Sequence, residues 1–242
     1  MSFTMFCVIP LPFHIWDDDC LNLALPCFPL IGGIIGALWW GVCWLLLASG
    51  IHTAIASAVL ALVPFIASGF LHLDGYMDTS DAVLSRRPLE EKLRILKDPH
   101  AGSFAVITLA VLFVTQFAAA FAVIDRKISI LPLITIPVIS RCCAAVSVLF
   151  LRTLEQSGLA NMFRQNSKLR HKIFIVFVAV LAVAFSYFAT GIGGIIVTTA
   201  VAAGFAGAMA FAYSDLKGVS GDLAGFALVI SELCGLIAMA VL

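Results

Sequence analysis

Charge is what this chain of 242 residues has least of: Asp, Glu, Lys and Arg together make up 12% of it, about half the roughly 25% usual in soluble domains. Apolar residues fill 62%, and mean hydropathy is +1.10. A water-soluble fold is excluded on that composition. Neither sign of charge dominates, with 14 basic residues against 14 acidic ones, so no basic excess invites nucleic acid and no acidic run makes a solvating tail. The cysteines at 7, 20, 27, 43, 142, 143 and 234 show neither a C-x-x-C spacing nor a Cys/His cluster. That excludes a zinc ribbon or a redox pair and leaves them as small packing residues. The opening MSFTMFCVIPLPFHIWDDDC lacks the basic start and continuous apolar run of a cleaved signal peptide, so none is expected. A soluble second domain, a low-complexity linker and a repeat of fixed period are also missing.

What is there is a series of uncharged intervals. Spanning a bilayer takes about 20 apolar residues, and counting such intervals predicts an all-α, polytopic transmembrane helical bundle of about seven spans. They lie near 28–48, 53–71, 101–124, 130–150, 173–190, 194–213 and 223–242, in a single domain over 1–242 with an N-terminal segment 1–27. A soluble helical core would show a polar stripe at helical period, and these intervals show none. All of the 14 Lys and Arg residues except Arg126, Lys127 and Arg141 fall in or beside the loops 72–100, 151–172 and 214–222. By the positive-inside rule those loops are cytoplasmic, which places the chain in the cell inner membrane with its acidic motifs facing the cytoplasm. Small residues at four-residue spacing, Gly32/Gly36 and Gly221/Gly225, suit ordinary close helix packing.

The strongest local signal is SGFLHLDGYMDTSD, residues 68–81. Asp74, Asp78 and Asp81 sit at i, i+4 and i+7, one face of a helix over two turns. Carboxylates so close repel one another without a counter-cation, and hard oxygen donors suit Mg2+, which completes its octahedron with waters and substrate phosphates. A solvated acidic helix end would interleave basic residues, whereas here Leu73, Tyr76, Met77 and Thr79 intervene. His72 stands beside the cluster as a further polar contributor. In LKDPHAGSF, residues 96–104, Pro99 and Gly102 predict an irregular turn whose exposed amides, with Lys97, Asp98, His100 and Ser103, make a candidate phosphate cradle. Between the two motifs RRPLEEKLRILK reads as a short amphipathic interfacial helix whose basic residues anchor to lipid headgroups. GVSGDLAG, residues 218–225, puts Asp222 at a helix start among Ser220 and Gly221, either a cap or a site residue. Arg141 and Glu232 lie inside apolar spans, where each charge costs about 2.5–3.5 kcal/mol; they are expected to face the bundle interior, paired with each other or with substrate.

Taken together, HLDG, the DTSD element, KDPHAGSF, SGDLAG, the downstream Glu232 and the N-terminal FCVIPLPFH and FPLIGGIIGAL resemble the cobalamin synthase family, adenosylcobinamide-GDP ribazoletransferases, over nearly the whole chain. Departures are Ala82 and Ala105 where that family usually has Gly, His100 where it has Arg, and Ser220 where it has Thr. The resemblance implies transfer of the adenosylcobinamide phosphate from adenosylcobinamide-GDP to α-ribazole or its 5′-phosphate, with release of GMP and a requirement for Mg2+. It assigns catalysis to Asp74, Asp78, Asp81, Asp222 and Arg141, the metal to the same four aspartates, and substrate contacts to His72, Lys97, Asp98, His100, Gly102, Ser103, Ser220, Gly221 and Glu232. The alternatives are another membrane phosphotransferase of the CDP-alcohol type, or a cation transporter using the intramembrane charges. The number of subunits is open, a homo-oligomer included.

Overall fold

The computed structural model describes residues 6, 23–154, 157–165 and 167–242, so most of the expected N-terminal segment 1–27 lies outside the described residues. The chain folds into helices α1 Ala24–Ala48, α2 Thr53–Ala67, α3 Leu71–Leu84, α4 Leu89–Ile95, α5 Ser103–Asp125, α6 Pro132–Phe150, α7 Gly158–Gln165, α8 Leu169–Thr190, α9 Ile192–Leu216 and α10 Gly221–Val241. Among the described residues the only extended pairing is an isolated bridge between Thr153 and Val219. Six helices, α1, α5, α6, α8, α9 and α10, are long and apolar enough to cross a membrane, and α2 with α3 makes a seventh if the bent pair counts as one span.

The second expected span, 53–71, is where the structure departs from the sequence reading. Helix α2 has 15 residues, about 22 Å at 1.5 Å per residue, and α3 leaves it at 91°. Gly69 and Phe70 cause the bend, both at positive φ, 63° and 61°. Glycine adopts that conformation freely, but Phe70 is strained there by roughly 1–3 kcal/mol. Ser68 stabilises the frayed end, its Oγ donating to the carbonyl of Pro64 at 2.9 Å.

Helix α6 is the central one, with 78% of its apolar window buried, whereas α8 has 17% and turns side chains such as Phe188 and Val180 outward. An outward apolar surface is the face a bilayer requires, because lipid tails offer no polar partners. Without a hydrophobic drive between helices in lipid, packing depends on close approach at small residues. Gly32 and Gly36 of α1 meet α6 in that way: a Cβ on either would collide with the carbonyls of Pro137 and Ile134. At the spacing Gly221/Gly225 only Gly225 is in contact, with the backbone of His72.

The basic loops do gather at one end of the bundle. Lys92 of α4 pairs with Asp215 of α9, Thr153 bridges to Val219, and at the other end Arg126 donates to the carbonyl of Ala240 at 2.8 Å. The pairing departs from the expectation for α4 at Lys92 alone, since Arg86, Arg87, Arg94 and Lys97 stay exposed. Lys92 is buried against Asp215 rather than anchored in headgroups, because the acidic partner comes from the distant end of α9.

Gly36→Ala and Gly41→Ala separate packing from helix propensity. Alanine normally favours a helix by about 0.5–1 kcal/mol over glycine, and a Cβ on Gly41 meets nothing within 4 Å, so Gly41→Ala raises the unfolding temperature in detergent. Gly36→Ala lowers it, because an overpacked contact costs roughly 1–3 kcal/mol of stability. Shifts of the same sign at both positions would show that α1 and α6 are not in backbone contact.

Candidate active site

Helix α3 brings the carboxylates together because its 14 residues present Asp74, Asp78 and Asp81 on one side over two turns. Asp222, in the first turn of α10, joins them across a backbone contact: a Cβ on Gly75 would lie 2.7 Å from the Cα of Asp222. Asp78 is within electrostatic reach of Asp74, Asp222 and Asp81. Tyr76 locks α3 in place, its hydroxyl donating to the carbonyl of Thr108 at 3.1 Å and its ring stacked on Phe226 at 5.6 Å. Ser220 caps α10 by accepting from the backbone N–H of Leu223 at 3.1 Å, with its Oγ 3.5 Å from Asp222 Oδ2.

The turn before α5 meets the same cluster. A Cβ on Gly102 would overlap the carboxylate of Asp81, so glycine there lets Asp81 lie against the turn, with Ser103 opening α5 beside it. Lys97, Asp98 and His100 stay outside and exposed. His100 donates its backbone N–H to Asp98 Oδ1 at 3.0 Å, and its Nδ1 lies 2.7 Å from the same oxygen. Those bonds, the ring contact first, hold the Asp98 carboxyl below its ordinary range. Of the expected cradle, the structure therefore joins Gly102 and Ser103 to the aspartates and leaves the charged residues at the rim.

Arg141 and Glu232 face each other instead of the cluster. Arg141 Nη1 donates to Glu232 Oε1 at 2.7 Å and to the carbonyl of Pro137 at 3.1 Å, and Ser140 adds a second bond to Glu232 Oε1 at 2.8 Å. Both side chains are buried. The guanidinium lies over the ring of Phe28, 5.6 Å from its centroid, and Arg141 Nε has no partner. Phe28 in turn meets the imidazole of His72 edge-on at 5.7 Å, so His72 links the ion pair to α3. Gly75, Tyr76 and Phe28 belong to this arrangement and were not singled out from the sequence. Gly75 stands inside HLDG and carried a signal, while nothing local marks the two aromatics.

None of Asp74, Asp78, Asp81 and Asp222 has a basic partner among the described salt bridges. Among the described residues no three His, Cys, Asp or Glu side chains converge closely enough to hold an ion as they stand. Four uncompensated hard oxygen donors nonetheless match the chemistry of a divalent cation of the Mg2+ class, with side-chain rotation needed to gather them.

Two measurements follow from this geometry. Asp78→Asn removes one of the mutually repelling charges and, with chelator present, stabilises the protein by on the order of 1 kcal/mol. Added Mg2+ raises the unfolding temperature of the unmodified chain and leaves the variant nearly unmoved; equal responses would remove the cation from the cluster. For the buried pair, Arg141→Met alone strands Glu232 and costs about 3–5 kcal/mol, and adding Glu232→Gln restores most of it. A double variant no more stable than the single one would mean the pair is not what holds Arg141 in place.

A profile of the family described as Cobalamin-5-phosphate synthase matches residues 1–240. A protein of Clostridium botulinum named adenosylcobinamide-GDP ribazoletransferase is 36% identical over 236 residues, which is 98% of this chain and 94% of that protein. One of the same name from Clostridium perfringens is 36% identical over 100% of this chain and 96% of its own length, and one from Lachnoclostridium phytofermentans is 33% identical over 96% and 89%. No solved structure matches. With the profile and these relatives running across the motifs that build the carboxylate cluster, the chain belongs to the cobalamin-5-phosphate synthase family.

Proposed function

We propose that this chain is an adenosylcobinamide-GDP ribazoletransferase, acting at the last step of nucleotide-loop assembly in cobalamin biosynthesis. Its substrates are adenosylcobinamide-GDP and α-ribazole or α-ribazole 5′-phosphate. The observation that carries the reading is the meeting of Asp74, Asp78 and Asp81 with Asp222 across the Gly75 contact. The two motifs lie far apart in sequence, and a charge-repelling cluster of that kind is justified by an anionic substrate brought in with a cation. The relatives' names specify the substrate.

Asp74, Asp78, Asp81 and Asp222 would hold Mg2+, which when bound neutralises the diphosphate being cleaved. The remaining chemistry belongs to the chain. The ribazole 3′-hydroxyl forms the new O–P bond at the cobinamide phosphorus, and the P–O bond to the bridging oxygen breaks so that GMP leaves with that oxygen. Asp222 takes the hydroxyl proton, since among the clustered carboxylates it alone also lines the apolar cavity beside α3. Gly102 and Ser103 offer the amides at the start of α5 to a phosphate. The acidic cluster opens at the basic end of the bundle, so by the positive-inside rule it faces the cytoplasm from the inner membrane.

The test uses membrane vesicles of both orientations, supplied outside with Mg2+, adenosylcobinamide-GDP and α-ribazole. Inverted vesicles release GMP and cobalamin, and right-side-out vesicles do not. Asp74→Asn lowers the rate by at least ~100-fold, about 2.7 kcal/mol of transition-state stabilisation, while the protein still inserts. Turnover unchanged by Asp74→Asn and Asp78→Asn would sink the assignment.

A further inference from the structure

Beside the carboxylates the bundle forms a partly open cavity of about 230 Å3. Phe6, Phe28, Phe163 and Leu228 supply apolar walls, and His72 and Asp222 are its polar members. The rings of Phe6 and Phe28 stand 6.4 and 5.7 Å from the imidazole of His72. His72 is 7% exposed, and its Nε2 has no hydrogen-bond partner. A buried ring nitrogen left without a partner is costly and uncommon, and a binding site is one setting in which a ligand repairs it.

Size and polarity restrict what fits. Sites for whole drug-sized ligands run to roughly 300–1,000 Å3, so this cavity takes a fragment, far smaller than a corrinoid. Guanine would bring N7 and O6 acceptors and an amino donor, more polar edges than His72 and Asp222 can serve. The base of ribazole is a dimethylbenzimidazole. It is apolar and bicyclic and, once ribosylated, keeps one unsubstituted ring nitrogen, an acceptor only.

We propose that this cavity is the subsite for the aromatic base of the ribazole acceptor, with His72 Nε2–H donating to the free ring nitrogen. The base then packs among the phenylalanines, and its ribose emerges past Asp222 toward the carboxylate cluster, where the hydroxyl must react. This placement rests on the transferase reading above and makes His72 a specificity residue for the acceptor.

The test measures binding and turnover in purified, detergent-solubilised protein with α-ribazole and with its indole analogue, in which C–H replaces the free ring nitrogen. The unmodified chain prefers α-ribazole by ~10-fold, the scale of one hydrogen bond. His72→Phe keeps a ring in place and raises KM for α-ribazole by a similar factor, losing the preference while KM for adenosylcobinamide-GDP stays put. Ala144→Leu, which narrows the cavity from α6, also raises KM for the acceptor and not for the donor substrate. The analogue comparison needs no variant, so it stands even if a substitution fails to fold. Equal affinity for the two ribosides, with GMP release intact, would overturn the subsite and leave the transferase reading standing; absence of GMP release would strike the transferase reading instead.

Discussion

A Cβ on Gly75 would lie 2.7 Å from the Cα of Asp222, so α3 and α10 meet backbone to backbone. In lipid such contacts are held by dispersion and by exclusion of tails rather than by a hydrophobic drive, and they form only where no side chain intervenes. Gly225 repeats the approach less tightly, since a Cβ there would lie 3.3 Å from the carbonyl oxygen of His72. The seam decides the rest of the site. It carries the α10 carboxylate to the three on α3, sets His72 over the cavity, and stacks Tyr76 on Phe226.

The polar groups of the interior are sorted by how each is satisfied. Arg141, Glu232 and Ser140 bond among themselves, which offsets much of the cost of burying charge in hydrocarbon and leaves Arg141 Nε unpaired. The clustered aspartates have no basic partner among the described residues; Asp222 accepts from the Ser220 hydroxyl, and the cluster lies along α3 and at the start of α10. Phe28 stands between the two groups, touching Arg141 on one side and His72 on the other. One network is settled within the protein, and the other is left for ligands.

Much of this was legible in the sequence because periodicity and hydropathy are local properties. The one-face spacing of Asp74, Asp78 and Asp81, the helix start at Asp222 and the long apolar helices all follow from neighbours a few residues apart, although the capping side chain is Ser220 rather than Asp222. The bend after α2 was not legible, since it requires Phe70 in a left-handed conformation that its residue type disfavours and only tertiary packing sustains. Lys92 reads as a surface residue on α4, and its burial depends on Asp215, 123 positions away. The cavity escaped for the same reason: Phe28, His72 and Phe163 come from three separate helices. Motifs named the carboxylates, and geometry alone supplied the room beside them.

The shortness of α2 bears on the membrane itself. Fifteen residues rise about 22 Å against a hydrocarbon core of about 30 Å, so a helix entering at one boundary stops about 8 Å before the other. With α2 standing along the membrane normal from one boundary, the turn at 68–70 and the helix that follows would lie below the headgroups of the other, where water would have to come down to meet them. Bilayer thickness then sets the depth of that well: longer acyl chains deepen it and shorter ones make it shallower, each ångström of mismatch carrying a fraction of a kcal/mol. In that arrangement lipid composition would act on the hydration of the aspartates without touching any of them.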